Sequence, residues 1–267
     1  MCAATIEALL RRDDLAVLGA LTVLVLLAWI AVLAGAGTGM SPAAMSGWFM
    51  PLGLPPSLSG AWTPFYWLIA FFMWATMMVA MMLPSASPMV LLYARVARQS
   101  ERQGRMANAS AAIAAFASAY LGLWILFSLL ATALQWGLEH AGAMSAMMNA
   151  RVAPLEGGLL IAAGLYQLTP VKAACLKHCR GPAQFIAAHW RPGAAGAWRM
   201  GISHGAYCIG CCAMLMLLLF VGGVMNLVWI AGLTLFVAIE KLAPFGAHAA
   251  KAIAALLVLG GALLMLA

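Results

Sequence analysis

Charge is scarce in this chain. Only 8% of its 267 residues are Asp, Glu, Lys or Arg, against about 25% in a soluble domain. There is no glycine-rich nucleotide loop, so an ATP-driven pump finds no support. No general acid–base pair or nucleophile triad is recognisable, so the chain is not read as an enzyme. No stretch is polar enough to form a soluble domain, and no nucleic-acid partner is expected. Hydrophobic residues instead make up 66% of the sequence, in long runs. A single soluble core at this length cannot hide so much apolar surface. These features leave an all-α polytopic membrane protein with the lipid bilayer as its surroundings.

A helix needs about 20 apolar residues to cross about 30 Å of hydrocarbon. On that measure the chain is one transmembrane domain, 1–267, with spans near 15–36, 64–94, 111–138, 152–170, 204–221, 226–241 and 252–267. The second span is long and holds Pro84 and Pro88, and the sixth is short, so kinking or tilt is expected there. With the N-terminus inside, Arg11, Arg12, the Arg95–Arg105 group, Lys172 to Arg199, Lys241 and Lys251 all face the cytoplasm. Only Arg151 is left outside. The first run reads as a retained signal anchor, because Asp13 and Asp14 separate its arginines from the apolar stretch. The uncharged segment 37–63 reads as an outer re-entrant or surface-lying loop, with Trp48, Trp62, Tyr66 and Trp67 at headgroup level. The segment 180–201, with Pro182, Pro192 and Gly193, reads as a broken loop.

Polar and sulfur side chains stand out in such a chain, because lipid makes them costly. Cys175 and Cys179 are one helical turn apart, with His178 between them. His204, Cys208 and Cys212 share one helical stripe, and Cys211 lies on its neighbouring edge. Thiolates at these spacings ligate soft metals; the plain alternative is that the cysteines pack as small buried residues. Met77 and Met81 follow Met73 in one row, and Met78 and Met82 form the next. Thioethers favour Cu(I), although a methionine stripe also packs well. Met81 and Cys212 both lie about 20 Å along unbroken helix from inner arginines, so the two rows can meet, continued by Met214 and Met216. An outer set comprises Glu139, His140, Met144, Met147, Met148, Met40, Met45, Met50, Met225 and Asn226. Glu240 and Lys241 read as an interfacial or interhelical ion pair, and Glu156 as a partner of Arg151. Paired small residues, such as Gly157-Gly158 and Gly260-Gly261, read as close helix contacts.

Four stretches together carry a resemblance. They are Trp74 to Pro84 with its paired methionines, Gly164 to Pro170 followed by Lys172 and the Cys175/Cys179 pair, Gly205 to Met216, and Gly223 to Asn226 running on to Glu240-Lys241. Over about residues 66–242 the chain resembles the DUF2182 family of predicted metal-binding integral membrane proteins. The resemblance implies a multi-pass protein of the bacterial inner membrane. It names neither a reaction nor a cargo.

The leading expectation is a protein that binds, transfers or transports a soft metal, Cu(I) first, with zinc suited by Cys and His alone. His140 and the outer methionines would collect the ion, and Met77, Met81, Met214 and Met216 would carry it. His204, Cys208, Cys211 and Cys212 would hold it, with Cys175 and Cys179 as inner partners. A metallochaperone, a membrane-complex partner or a second copy of the chain are the protein partners this allows. The alternatives are a transmembrane thiol–disulfide electron carrier, with Lys172, Lys177 and Arg180 activating the first cysteine pair, or a metal-containing subunit of an oxidoreductase or assembly complex.

Overall fold

The structure is a computed structural model that describes residues 2–42, 45–46, 62–144 and 153–266. The described residues form an all-helical bundle without strands. Its helices are α1 (Cys2–Leu33), α2 (Pro64–Arg102), α3 (Ala109–His140), α4 (Ala153–Gln167), α5 (Pro170–Arg180), α6 (Pro182–His189), α7 (Gly193–Leu217), α8 (Leu219–Gly222), α9 (Leu227–Leu242) and α10 (Gly246–Leu266). Most of the outer loop 37–63 lies outside the described residues, as do Met50, Met147, Met148 and the expected Glu156 partner Arg151.

Five stretches are long and apolar enough to cross a membrane: Leu15–Leu33, Pro64–Arg102, Ala109–His140, Gly193–Gly222 and Gly246–Leu266. A sixth forms if Pro154–Gln167 and Pro170–Arg180, bent by 65° at their junction, count as one broken span. Helix α9 has 16 residues, about 24 Å of helix, which is short for a crossing. Leucines on α1, α3 and α10 such as Leu27, Leu130 and Leu259 stay exposed, as a lipid-facing surface requires.

Local sequence explains where the helices begin. Thr63 caps α2 by accepting from the Tyr66 N–H at 3.2 Å, with Pro64 in the first turn. Asn108 caps α3 through the Ala111 N–H at 2.9 Å, and Thr169 caps α5 through the Lys172 N–H at 3.2 Å. Helix α2 carries Pro84 and Pro88 within its 39 residues. One expectation about proline changes. The segment 180–201 is helical rather than a loop, because Pro182 opens α6 and Pro192 immediately precedes α7. Proline lacks only an N–H that a first helical turn leaves unbonded anyway, so it starts helices as readily as it ends them.

Close approach fixes the inner packing. At Gly201 of α7 a Cβ would strike the carbonyl oxygen of Phe116 on α3. On the other side, α4 and α10 meet at Gly157 and Gly261. Small residues of this kind let helices approach backbone to backbone in lipid.

Two charged contacts tie α5 to α9. Lys172 Nζ on α5 lies 2.6 Å from Glu240 Oε1 on α9, with both side chains almost wholly buried. Arg180 donates to the carbonyls of Glu240 at 3.3 Å and Ala243 at 2.9 Å, closing the C-terminal end of α9. The ion pair at Glu240 is therefore interhelical, and its cation is Lys172, not the adjacent Lys241. Removing one partner of a buried pair strands the other charge, at a cost of about 3–5 kcal/mol. Glu240→Gln is expected to lower the thermal unfolding midpoint sharply in detergent, and Lys172→Met with Glu240→Leu to recover most of the loss. Equal midpoints for wild type and Glu240→Gln would show that the pair does not hold α5 to α9.

Candidate metal centre

Five helices deliver sulfur, hydroxyl and ammonium groups to one buried point. Helix α7 carries Cys208, Cys211 and Cys212, each at most 1% exposed. Helix α5 turns Cys179 towards them, so that its Sγ lies 3.8 Å from Cys211 Sγ. Cys211 Sγ in turn lies 3.2 Å from Cys212 Sγ and 3.2 Å from the Cys208 carbonyl oxygen. Helix α9 ends in Lys241, whose Nζ donates to Cys208 Sγ at 3.0 Å and to Ser85 Oγ of α2 at 3.2 Å. The Tyr120 hydroxyl of α3 stands 3.2 Å from Cys208 Sγ and 3.3 Å from the Met82 carbonyl oxygen, to which it donates. All these cysteines are free thiols.

The spacing separates the sulfurs. Two thiolates bound at about 2.3 Å in tetrahedral geometry stand about 3.8 Å apart. Cys179 and Cys211 match that separation, whereas Cys211 and Cys212 are closer. Among the described residues, no three or more His, Cys, Asp or Glu side chains form a ready-made metal cage. The position of Cys211 differs from what its helix alone implies. It sits at the edge of the α7 stripe, but α5 packs against that edge, so its sulfur lies between those of Cys179 and Cys212.

The methionines assemble as their depth implies. Met73, Met77, Met78, Met81 and Met82 are buried in the same apolar cluster as Cys208, Cys211 and Cys212, and half-buried Met214 packs against it. Cys175 stands apart from the thiol contacts. Half-buried, it presses its Sγ on Gly210, where an added Cβ would lie only 2.7 Å from the sulfur. His204 also stands apart. Its buried ring lies against Tyr120, Phe116 and Phe185, with centroids at 5.6, 6.1 and 5.4 Å, and its Nδ1 has no hydrogen-bond partner.

The outer set divides. Met45, Met144 and Met225 are buried in the main cluster, and the Met45 carbonyl accepts from the Leu227 N–H at 2.8 Å. Asn226 caps α9 through the N–H groups of Val228 at 3.0 Å and Trp229 at 3.3 Å. Glu139 accepts from Trp62 Nε1 and from Gln135 Nε2, both at 2.9 Å. Gln135 Oε1 then accepts from the buried Trp74 Nε1 at 2.8 Å, which links the outer rim to the methionine rows. His140 is exposed and stacks on Trp136 at 5.7 Å, away from those methionines.

Sequence reasoning did not find the partners of the thiols. Lys241 is 33 residues from Cys208 and Tyr120 is 88 away, separations at which no helical periodicity signals contact. Lys172 and Arg180, expected beside the first cysteine pair as activating charges, are engaged by Glu240 and by the α9 carbonyls.

No curated protein and no solved structure matches this chain. A family profile does, across residues 71–264, and its description is PpoB2, copper chaperone. The match takes in the α2 methionines, the α5 and α7 cysteines and Lys241, and covers well over half of the sequence. The chain therefore belongs to the PpoB2 copper chaperone family.

Proposed function

We propose that this protein takes up copper as Cu(I) within the membrane, holds it briefly on the thiols of α5 and α7, and passes it on by ligand exchange. The ion is cargo, not a resident cofactor. The observation that carries the reading is the 3.8 Å separation of Cys179 and Cys211 on two different helices. That pair offers two thiolates at a metal-bridging distance. Cys208 and Cys212 stand beside it, and Met77, Met78, Met81, Met82 and Met214 line the apolar surroundings. Thiolate and thioether donors together select Cu(I), whereas zinc takes thiolate, imidazole or carboxylate but rarely a thioether. Neither His204 nor a carboxylate makes a polar contact with these sulfurs among the described residues, which favours Cu(I).

A seven-span, N-inside arrangement in a bacterial inner membrane accompanies this reading, with α9 as the short span. It puts the thiols in the cytoplasmic half and the Glu139–His140 rim outside. Delivery to a second protein suits the family description better than bulk flux, because the site is small and its ligands are few. Burial of Cys208, Cys211 and Cys212 weighs against the thiol–disulfide carrier, since exchange needs an exposed thiolate.

Lys241 has a definite part in this scheme. A pair of thiolates on Cu(I) carries net negative charge in an apolar setting, and the ammonium 3.0 Å from Cys208 compensates it. A charge-assisted hydrogen bond of this kind contributes about 1.5–3 kcal/mol.

Two outcomes test the reading. Element analysis of protein purified under reducing conditions is expected to find about one tightly held copper per chain, lost in Cys179→Ser and Cys211→Ser and retained in His140→Ala. Copper-free protein after loading with Cu(I), or a full complement in both serine variants, would overturn it. Lys241→Met is expected to weaken Cu(I) affinity about 10-fold to 100-fold in competition with a soluble chelator. Unaltered affinity would remove the lysine from the site.

A further inference from the structure

Two imidazoles outside the thiol cluster have the arrangement of a metal-binding pair. His178 lies in the last turn of α5 and His189 is the last residue of α6. Only Gly181 separates the two helices, and the rings converge to a centroid distance of 6.2 Å. With metal–nitrogen bonds of about 2.0–2.1 Å, two imidazoles sharing one ion have centroids about 5 Å apart at a tetrahedral angle and about 6.4 Å apart in linear coordination.

The tautomers follow from hydrogen bonding. His178 Nδ1 lies 2.9 Å from the Ala174 carbonyl oxygen, and His189 Nδ1 lies 3.0 Å from that of Phe185. A carbonyl oxygen only accepts, so each Nδ1 holds the proton. Each neutral ring then carries its lone pair on Nε2. Tying Nδ1–H to a carbonyl is the usual way in which proteins orient a histidine for metal ligation. Stacking also clamps both rings, His178 on Tyr207 at 4.0 Å and 2°, and His189 on Phe185 at 4.5 Å and 19°. Both histidines are half-buried, so an ion from water can reach them.

A third imidazole connects this pair to the interior. Phe185, which stacks on His189, also contacts the ring of His204. His204 is 2% exposed, and its Nδ1 lacks a hydrogen-bond partner. On its other side lies Tyr120, whose hydroxyl touches Cys208 Sγ. His204 thus lies between the half-buried pair, across Phe185, and the thiols, across Tyr120.

We propose that His178 and His189 form a second, weaker Cu(I) site at which the ion enters or leaves the thiol cluster, with His204 between the two. The inference rests on the copper reading above and adds the place of exchange. Each transfer swaps nitrogen ligands for sulfur ligands on Cu(I), or the reverse. No electron moves; neutral Nε2 releases no proton on binding, whereas each thiol gives up its proton to solvent as it takes the ion as a thiolate, and regains one when the ion leaves. Thiolates hold Cu(I) more tightly than imidazoles do, so loading runs towards the cysteines.

The test replaces both rings with phenylalanine, which keeps the stacking and removes the nitrogens. Detergent-purified, reduced protein is titrated anaerobically with Cu(I), and its transfer to a soluble chelator is timed. Wild type is expected to bind about two ions, the second showing nitrogen ligation by X-ray absorption. His178→Phe/His189→Phe is expected to bind about one and to release it about tenfold more slowly. Nitrogen-15 spectra of histidine-labelled wild type provide a check that does not depend on the variant's folding: the second equivalent is expected to shift two Nε2 signals. A variant with wild-type stoichiometry and release rate, or Nε2 signals that ignore copper, would overturn the pair site while leaving the thiol site standing. Wild type that binds no copper would overturn the thiol reading itself.

Discussion

Among the described residues, two ammonium groups, Lys172 and Lys241, lie buried at one end of this bundle with one carboxylate, Glu240. Glu240 balances Lys172, so the charge on Lys241 is met by the Cys208 sulfur, with Ser85 and Tyr120 completing its surroundings. In a low-dielectric interior an unmatched charge is severely unfavourable. That requirement holds α2, α3, α5, α7 and α9 to one arrangement. Loosening any of them would expose either the lysines or the thiols to lipid without a partner.

The same arrangement makes the sulfurs available as a group. Gly201 brings α7 onto the α3 backbone, and Gly210 lets Cys175 and α5 close against the other side. Between them Cys179 reaches Cys211, and the methionine rows of α2 fill the adjoining apolar space. On the proposed reading, soft ligands held this way would exchange an ion with neighbours without a fuel source. That accords with a family described as copper chaperones and with a chain that lacks any nucleotide-binding loop.

Much of this was legible in the residues. Long apolar runs announce the helices, and the i, i+4 spacing of Met77 and Met81, or of Cys208 and Cys212, is enough to place each pair on one face. The prolines were harder to read. Pro182 and Pro192 look like breaks but serve as helix starts, because a missing N–H costs nothing in a first turn. Cys211 looked peripheral because periodicity reports only the helix that carries it, not the neighbour that packs there. His204 shares a stripe with Cys208, yet aromatic rings from α3 and α6 surround it, and His140 stays outside the methionine cluster.

By itself, the sequence determined that the chain is all-helical with runs long and apolar enough to cross a membrane, and which sulfur groups share a helical face. Those are local or additive properties, set by transfer free energy and by the 3.6-residue turn. Only the tertiary structure decided that Lys241 faces Cys208, that Lys172 rather than Lys241 pairs with Glu240, that Cys179 meets Cys211, and that His178 meets His189. Each of these contacts joins residues on different helices. Their pairing depends on helix rotation and on close approach at small residues, which no single segment encodes.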